Sequence, residues 1–522
     1  MQQFIAKFEK DIRGAMSGFD RVLFRGSLRR LTHSLGMKWY LAENDILCKH
    51  YQDHVKQISH KVRKAATAPF EQQKLLVQYV YGSQDKDAIA RAYASQRGIT
   101  EGDVCALTVM EMAPTFQHYQ TDMVIRPRPC LTVYAYRIDP EWGWMHARMQ
   151  TWFPFYMHVC INGREWLSRR MDRAQLGYYR QENCFPWVED IPQAQRFLDE
   201  QLTVNWAEKL QWFAQRLNPL HEEIFRNYPT QYYWSAFQCE WASDILFRPG
   251  TLRRLAPLLV EHGMLSFSSP DILRFLGHRV NLSGQIPQNY NGELTTDFKS
   301  RASGDRVKYR IQGNSLKGYG KASTPVGDLF RVEALTQHVE VFKTYRPAEG
   351  GPEDDLKWRI MRRGVADLHR RAEVSQKANE RLWNALSKVD DSTRLHELVR
   401  HLEQPCQYGG RRVRALHPFQ ADDHRLLKAI NDGRFMVNGL RNRDLQTLLY
   451  DLPQPETQLN AQEKRRRSSA ISRKLRMLRA HGLIQKVPKT HRYQVTEHGR
   501  LAITAILKMD RTSLALLNKA AA

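Results

Sequence analysis

The chain has 522 residues, 42% of them hydrophobic, with 79 Lys and Arg against 55 Asp and Glu, a formal net charge of +24. That composition excludes wholesale disorder, and the length predicts two to four domains with an ample core. No apolar run reaches the roughly 18 residues of a membrane-crossing helix and Met1 to Phe4 lack a signal-peptide pattern, so a cytoplasmic setting and a polyanionic partner are expected, nucleic acid before an acidic membrane surface.

A mixed helical opening leads into Phe19-Asp20-Arg21-Val22-Leu23-Phe24-Arg25-Gly26, which reads as a strand ending at a glycine. Residues 36–100 carry apolar positions at three- and four-residue spacing and read as mainly helical. A β-rich block follows at 104–109, 130–136 and 144–161, closed by Asn162-Gly163 and a helix from Arg164. Residues 190–280 again read as largely helical, with Glu240 and Asp244 at i, i+4 spacing, a pair that suits Mg²⁺ or simply faces solvent. A second strand-rich stretch spans 293–346, Ala348 to Asp355 reads as a linker, and a basic amphipathic helix is expected from Arg362 to about Val389. That helix reads equally well as solvated or as tracking phosphates. Gly409-Gly410 marks another boundary. The fold class expected is therefore α+β: a large basic domain over 1–347, a linker and basic helical connector over 348–410, and a C-terminal domain over 411–522.

Several familiar site patterns fail on inspection. The seven Cys are an odd number, scattered among apolar neighbours with no C-x-x-C pair, and read as core residues in a reducing compartment. His396 and His401 lie five residues apart around Glu397, one too many for two imidazoles to share a helix face and a metal. Gly313 to Tyr319 has Tyr where a phosphate loop requires Lys. The aromatic runs Trp152 to Tyr156 and Tyr232 to Trp234 suit core filling better than the stacking of nucleic-acid bases.

The C-terminal stretch has the most regular pattern. Asp422-Asp423 caps a helix carrying Leu426, Leu427 and Ile430; Phe435-Met436-Val437 reads as a short strand, Asn442 to Leu449 as a second helix and Arg465 to about Ala480 as a third. In the third, Ile471, Leu475 and Leu478 form one apolar face, and Ser469, Ser472, Arg473, Arg476 and Arg479 fall largely off it. Leu483 to Val487 and His491 to Thr496 read as a hairpin around Pro488-Lys489-Thr490, before a last helix near Gly499. Residues 461–500 hold 12 Lys and Arg against Glu463 and Glu497, a local surplus of +10. The order of elements, and the cadence Leu483-Ile484 to Tyr493-Gln494-Val495-Thr496-Glu497-His498-Gly499, resemble the winged helix-turn-helix DNA-binding domains of MarR-like regulators over about residues 420–510. The resemblance implies a recognition helix and a wing. The candidate DNA contacts are Arg465, Arg466, Arg467, Ser469, Ser472, Arg473, Arg476, Arg479, Lys486, Lys489, His491 and Arg492.

In Asn314 to Lys321, strand alternation puts Lys317, Tyr319 and Lys321 on one face, and after the turn at Thr324 to Asp328, Arg331 and Glu333 share a face. If the two strands pair, Tyr, Lys, Arg and Glu gather on one surface, a set suited to nicking a phosphodiester. This K-x-Y-x-K…R-x-E arrangement resembles, over about 30 residues, the rolling-circle replication initiators of plasmids and phages. By that resemblance Tyr319 is the candidate nucleophile and Glu333 a candidate metal ligand, and Asp20 on the first strand is the candidate second ligand. The alternative is the outer face of a sheet with Glu333 in a cross-strand ion pair. The family's His-hydrophobe-His pair is absent; His146, Arg148 and Gln150 share a face but supply one good ligand.

Two functions follow as expectations. One is a mobile-element or replication protein that finds DNA through its C-terminal domain and holds, or nicks with Mg²⁺ or Mn²⁺, a nucleic acid in its large domain. The other is a non-enzymatic MarR-like regulator, with an RNA-binding or RNA-guided variant of the first as a further alternative. DNA, RNA and a second copy of the chain are the candidate partners, with no membrane.

Overall fold

In a computed structural model, the chain is described at all residues except 121, 268, 279–293, 300–304, 349, 353, 390–394, 433–434, 436–438, 451–460, 488–489 and 510–522. The fold is α+β. The first thirteen strands in chain order among the described residues are β1 (Ile12–Leu28), β2 (Leu76–Tyr79), β3 (Gly102–Tyr119), β4 (Asp122–Asp139), β5 (Gly143–Gln150), β6 (Met157–Asn162), β7 (Tyr178–Gln181), β8 (Cys184–Val188), β9 (Tyr232–Phe247), β10 (Leu294–Lys299), β11 (Arg306–Ile311), β12 (Asn314–Ser323) and β13 (Asp328–Thr336). Eleven of them form one sheet in the order β10-β11-β12-β13-β9-β1-β6-β5-β4-β3-β2, with β7 and β8 a separate hairpin. All neighbours are antiparallel except β2 and β3.

The two faces of this sheet are treated differently. One is covered along its length. Over β1, β5 and β6, Phe19, Val22, Phe24 and Val159 pack with helices Ser34–Glu43, Tyr51–Gln72 and Trp206–Leu217. Over β9 and β11 to β13, Val307, Leu316, Phe330 and Val332 pack with helices Thr251–Leu265 and Leu368–Leu386. The other face is covered at two places only among the described residues. Helices Gly163–Arg173 and Ile191–Glu200 and the β7–β8 hairpin bury Met16, Leu246, Ala322 and Leu329 at one corner. Helix Lys86–Arg97, capped by the Asp85 carboxylate and ended by Gly98 at φ 65°, buries Cys105, Leu107, Tyr134 and Tyr136 at the far edge.

Three elements differ from the sequence expectation. Residues 232–247, read as helical, are the interior strand β9; long-range pairing to β1 and β13 outweighs local propensity. The basic helix starts six residues later than expected, over Leu368–Leu386, and it is amphipathic as its pattern predicts. It buries Ala378, Leu382, Trp383 and Leu386 under the sheet, and Arg371 donates to the Thr336 hydroxyl and to the carbonyls of Ala236 and Thr336. The expected linker at Ala348 to Asp355 joins the paired strands Lys343–Arg346 and Lys357–Ile360.

The C-terminal residues build a separate core from Leu426, Leu445, Ile471, Leu475, Leu478, Leu483 and Ile503. Its helices are Ala421–Ile430, Asn442–Leu449, Ala461–Ala480 and Glu497–Met509, with a hairpin of Ile484–Lys486 and Tyr493–Val495 that is extended by a bridge from Tyr493 to Leu440. The short strand expected at 435–437 lies largely outside the described residues. Among the described residues, no helix is long and apolar enough to cross a membrane.

Candidate functional site

The residues singled out by sequence fall in two regions, one in the sheet and one in the C-terminal core. In the sheet, β1 bulges: Phe19 opposes Trp241 and Arg21 opposes Glu240, so Asp20 is the extra residue. Tyr319 opposes Arg331, Lys317 opposes Glu333, and Arg331 opposes Asp244. Directly opposed residues of antiparallel strands share a face, and this sets Tyr319, Arg331 and Asp244 beside the corner layer, with Lys317 and Glu333 next to them on the same face. Two more groups arrive from that layer. Asn162 ends β6 and its side chain accepts from the backbone N–H groups of Arg164 and Glu165, which starts helix Gly163–Arg173. A Cβ on Gly163 would lie 2.2 Å from the Phe19 carbonyl oxygen, so only glycine lets this helix start sit on β1 and bring the fully buried Arg164 beside the cluster. Asn183 comes from the β7–β8 turn.

The result is a closed charge layer. Arg331 donates through Nε and Nη2 to both oxygens of Asp244 at 2.6 and 2.9 Å, through Nη1 to Asp20 at 2.7 Å, and through Nη2 to the Asn183 carbonyl at 2.9 Å. Asn183 Nδ2 donates to Asp20 at 2.5 Å, and Arg164 lies 3.2 Å from Asp244 and 3.8 Å from Asp20. Two arginines thus neutralise two aspartates in a layer where Asp244 and Arg164 are 0% exposed. Burial works to raise Asp244, but Arg331 and Arg164 outweigh it and hold the carboxyl below its usual range. Asp20 is pushed up, by burial first and by the charges of Glu333 and Asp244, against Arg331 and Arg164.

Next to this layer, Tyr319 Oη donates to Glu333 Oε2 at 2.9 Å and Lys317 Nζ to Oε1 at 2.5 Å. Burial raises Glu333, yet Lys317 and Arg331 keep it ionised below the usual carboxylate range. Tyr319 is driven well above the ordinary phenol value by burial and then by Glu333, which keeps it protonated and a poor nucleophile at neutral pH. Glu240 sits at the rim opposite Arg21, pushed up to about 7 by burial and by the charge of Glu333.

Tyr319, Glu333 and Asp20 therefore come together. Glu240 and Asp244 do not: expected one helical turn apart as a pair for Mg²⁺, they share a face of β9 but stand about 13 Å apart along it, at about 3.3 Å per residue. The donor set does not suit a divalent cation. Both Glu333 oxygens and the Asp20 carboxylate are taken by cations, an amide and a phenol, and no group of three or more His, Cys, Asp or Glu among the described residues is placed to hold a metal ion. Arg164 and Asn183 were missed by sequence reasoning. No local pattern distinguishes them from surface residues, and Asn183 meets Asp20 across 163 positions.

The remaining candidates are scattered. His146 packs against the Tyr134 and Tyr136 rings and is lowered to about 4 by burial and Arg148; Arg148 bonds Glu111, and Gln150 donates to the Pro114 and Trp152 carbonyls. Phe153, Phe155, Tyr232 and Trp234 are buried core, while Tyr156 and Tyr233 lie under the guanidinium groups of Arg25 and Arg29, each 3.9 Å from its ring. A surface cleft of about 1000 Å³ between Arg30, Glu208, Glu222 and Arg226 contains none of the charge layer.

In the C-terminal region, Ile471, Leu475 and Leu478 of helix Ala461–Ala480 are buried, and Arg465, Arg466, Ser469, Ser472 and Arg473 are exposed. At 100° per residue those five fall within an arc of about 120°. Asn442 ties this helix to the preceding one through the Ser468 carbonyl and the Ser472 hydroxyl. Other expected contacts are partly occupied: Arg467 pairs with Glu463 over the Tyr450 ring, Arg476 donates to the Tyr408 carbonyl at 3.4 Å, and Arg479 lies over the Tyr408 ring. On the hairpin, Lys486 and His491 are exposed and Arg492 is half-buried; Lys489 lies outside the described residues.

No protein-family model matches the chain, and no curated protein matches it. Among solved structures, it is similar to BexL, a di-domain ARO/CYC protein of a biosynthetic pathway, at 10% identity over 58% of this chain and 93% of that one, with a TM-score of 0.16.

Proposed function

We propose that the chain is a nucleic-acid-binding protein whose C-terminal region is a winged helix that binds duplex DNA, with helix Ala461–Ala480 in the major groove and the hairpin after it against the neighbouring backbone. The observation that carries this is the division of that helix into a buried apolar side and an exposed arc of Arg465, Arg466, Ser469, Ser472 and Arg473. Arginine and serine on one exposed arc supply donors for phosphates and base edges, and the apolar side anchors the helix to its own core. The size of the sheet region favours a DNA-processing setting, of mobile-element or replication type, over a MarR-like regulator. The reading contains no cleavage step, since Tyr319, Glu333 and Asp20 are already engaged by one another's neighbours.

The test is gel-shift titration of the full chain against a pool of random-sequence duplexes, with an Arg465→Ala/Arg466→Ala/Arg473→Ala variant beside it. Wild-type binding enriched for particular sequences, weakened by an order of magnitude or more in the variant, supports the reading. Equal affinity of the two proteins contradicts it.

A further inference from the structure

Among the described residues, no helix or hairpin covers the middle of the sheet face that holds the charge layer, between the corner layer and helix Lys86–Arg97, although Ser315 and Glu333 within it are buried. The register defines what lines it. One row of directly opposed residues runs Arg310, Ser315, Leu335, Glu240, Arg21 and Asn162 from β11 to β6. Beside it on one side stand Lys308, Lys317 and Glu333, and on the other Gln238, Leu23 and Cys160, followed by Arg25 and His158. Along β6, β11 and β1 from Arg21 onward, every second residue is buried beneath the sheet, and its neighbours on this face are half-buried or exposed. Five strand spacings of about 4.8 Å make the strip about 24 Å wide.

Its chemistry is cationic and aromatic together. Arg25 lies 3.9 Å from the Tyr156 ring and 5.7 Å from Phe237, and Phe237 in turn meets His158. Phe237 reaches this position because β9 carries an extra residue between the partners of Leu23 and Phe24. Arg25 and Lys308 make no ion pair among the described residues. Arg310 is exposed and lies 3.7 Å from Asp297 of β10, and Glu240 and Glu333 are the acids of the strip's centre. The cations also crowd one another. Lys308 is lowered by burial and then by Lys317, Arg310 and Arg306, and His158 is lowered to about 3 by burial and then by Arg148, Arg25 and His146. Burial is the larger cause of both shifts and the neighbouring cations add to it, so the cations on this face stand close enough to meet one polyanion together. A duplex is a poor fit to a sheet surface carrying half-exposed rings, whereas a single strand offers both phosphates for the cations and unpaired bases for the rings.

We propose that this strip is a second nucleic-acid site, one that binds single-stranded polynucleotide, with Arg25, Lys308 and Arg310 on the backbone and the Tyr156–Phe237 pair as a stacking platform. The site shares no residue with the duplex-binding surface, and each stands without the other.

The full chain would be titrated with fluorescent oligouridine and oligothymidine of about 16 nucleotides over a series of salt concentrations. Each phosphate contact on a single strand contributes about 0.7 to the slope of log affinity against log salt. The Lys308→Gln/Arg310→Gln variant is therefore expected to lower that slope by about 1.4, and Phe237→Ala to weaken binding about tenfold with the slope kept. Both variants should retain wild-type duplex binding and melting temperature, and Arg465→Ala/Arg466→Ala/Arg473→Ala should retain single-strand binding. Tighter binding of oligouridine assigns RNA as the ligand; equal binding assigns either strand. The proposal is overturned if the wild type does not bind these oligomers, if the Lys308/Arg310 variant keeps the slope, or if polyglutamate displaces the oligomer as well as unlabelled polyuridine does, which would make the strip a site for acidic peptides.

Discussion

Arg331, in the middle of the sheet, is 1% exposed and gives its hydrogen bonds to Asp20, Asp244 and a backbone carbonyl, whereas Arg473, on helix Ala461–Ala480, is exposed and makes no ion pair among the described residues. The first is committed to holding four elements, β1, β9, β13 and the β7–β8 turn, in one arrangement. The second is free to meet a phosphate. The surplus of +24 counts both alike, so net charge points to a polyanionic partner without locating it. Burial and pairing decide which cations are available. In the sheet the answer changes over a few ångströms, from the paired Arg164 and Arg331 to the unpaired Arg25 and Lys308 on the open strip.

The largest effect should come from breaking the committed side. Arg331→Met leaves Asp20 and Asp244 buried with one arginine between them, and is expected to destabilise the protein by about 3–5 kcal/mol in urea denaturation. A loss under 1 kcal/mol would mean that the layer is far wetter than its burial implies. Leu475→Ala should cost about 3 kcal/mol, the usual cavity penalty, in the C-terminal core alone. Sheet-region probes should be unmoved, and a joint transition would show that the two cores fold as one.

A third effect depends on pH. Glu240 holds its proton up to about pH 7 in the folded chain but releases it near 4.5 when unfolded, so between these values the folded state binds more protons and stability falls as pH rises. The accumulated cost by pH 8 is on the order of 3 kcal/mol. Glu240→Gln should therefore match the wild type at pH 4.5 and exceed it at pH 8. Asp244 and Glu333 act oppositely, being held low: their contribution is full above the unfolded carboxyl range and is lost as pH falls through their folded values. A Glu240→Gln variant as stable as the wild type at both pH 4.5 and pH 8 would place Glu240 in solvent.

Local patterns made part of this legible. Alternation in Asn314 to Lys321 and in Leu329 to Glu333 put Tyr319, Lys317, Arg331 and Glu333 on one surface, and the strands do pair in that register. The apolar repeat Ile471, Leu475, Leu478 marked the buried side of its helix. What was not legible depended on distance in the chain. Glu240 and Asp244 satisfy both a helical and a strand face at their spacing, and only pairing to β1 and β13 decides between them. Arg164, Asn183 and Arg371 look like surface residues because their partners lie 35 to 163 positions away and several are backbone carbonyls that sequence does not display. The roles first read from Tyr319 and Glu333 changed for the same reason: a pattern shows which residues meet, and only the full set of neighbours shows what each is left free to do.

The central claim is that the exposed cations of helix Ala461–Ala480, and not the buried ones of the sheet, bind duplex DNA. It is tested most directly by the salt dependence of duplex affinity. Each phosphate contact on B-DNA contributes about 0.9 to the slope of log affinity against log salt. The Arg465→Ala/Arg466→Ala/Arg473→Ala variant should thus lose about 2.7 from the wild-type slope, with its melting temperature unchanged. A slope equal to that of the wild type would contradict the account.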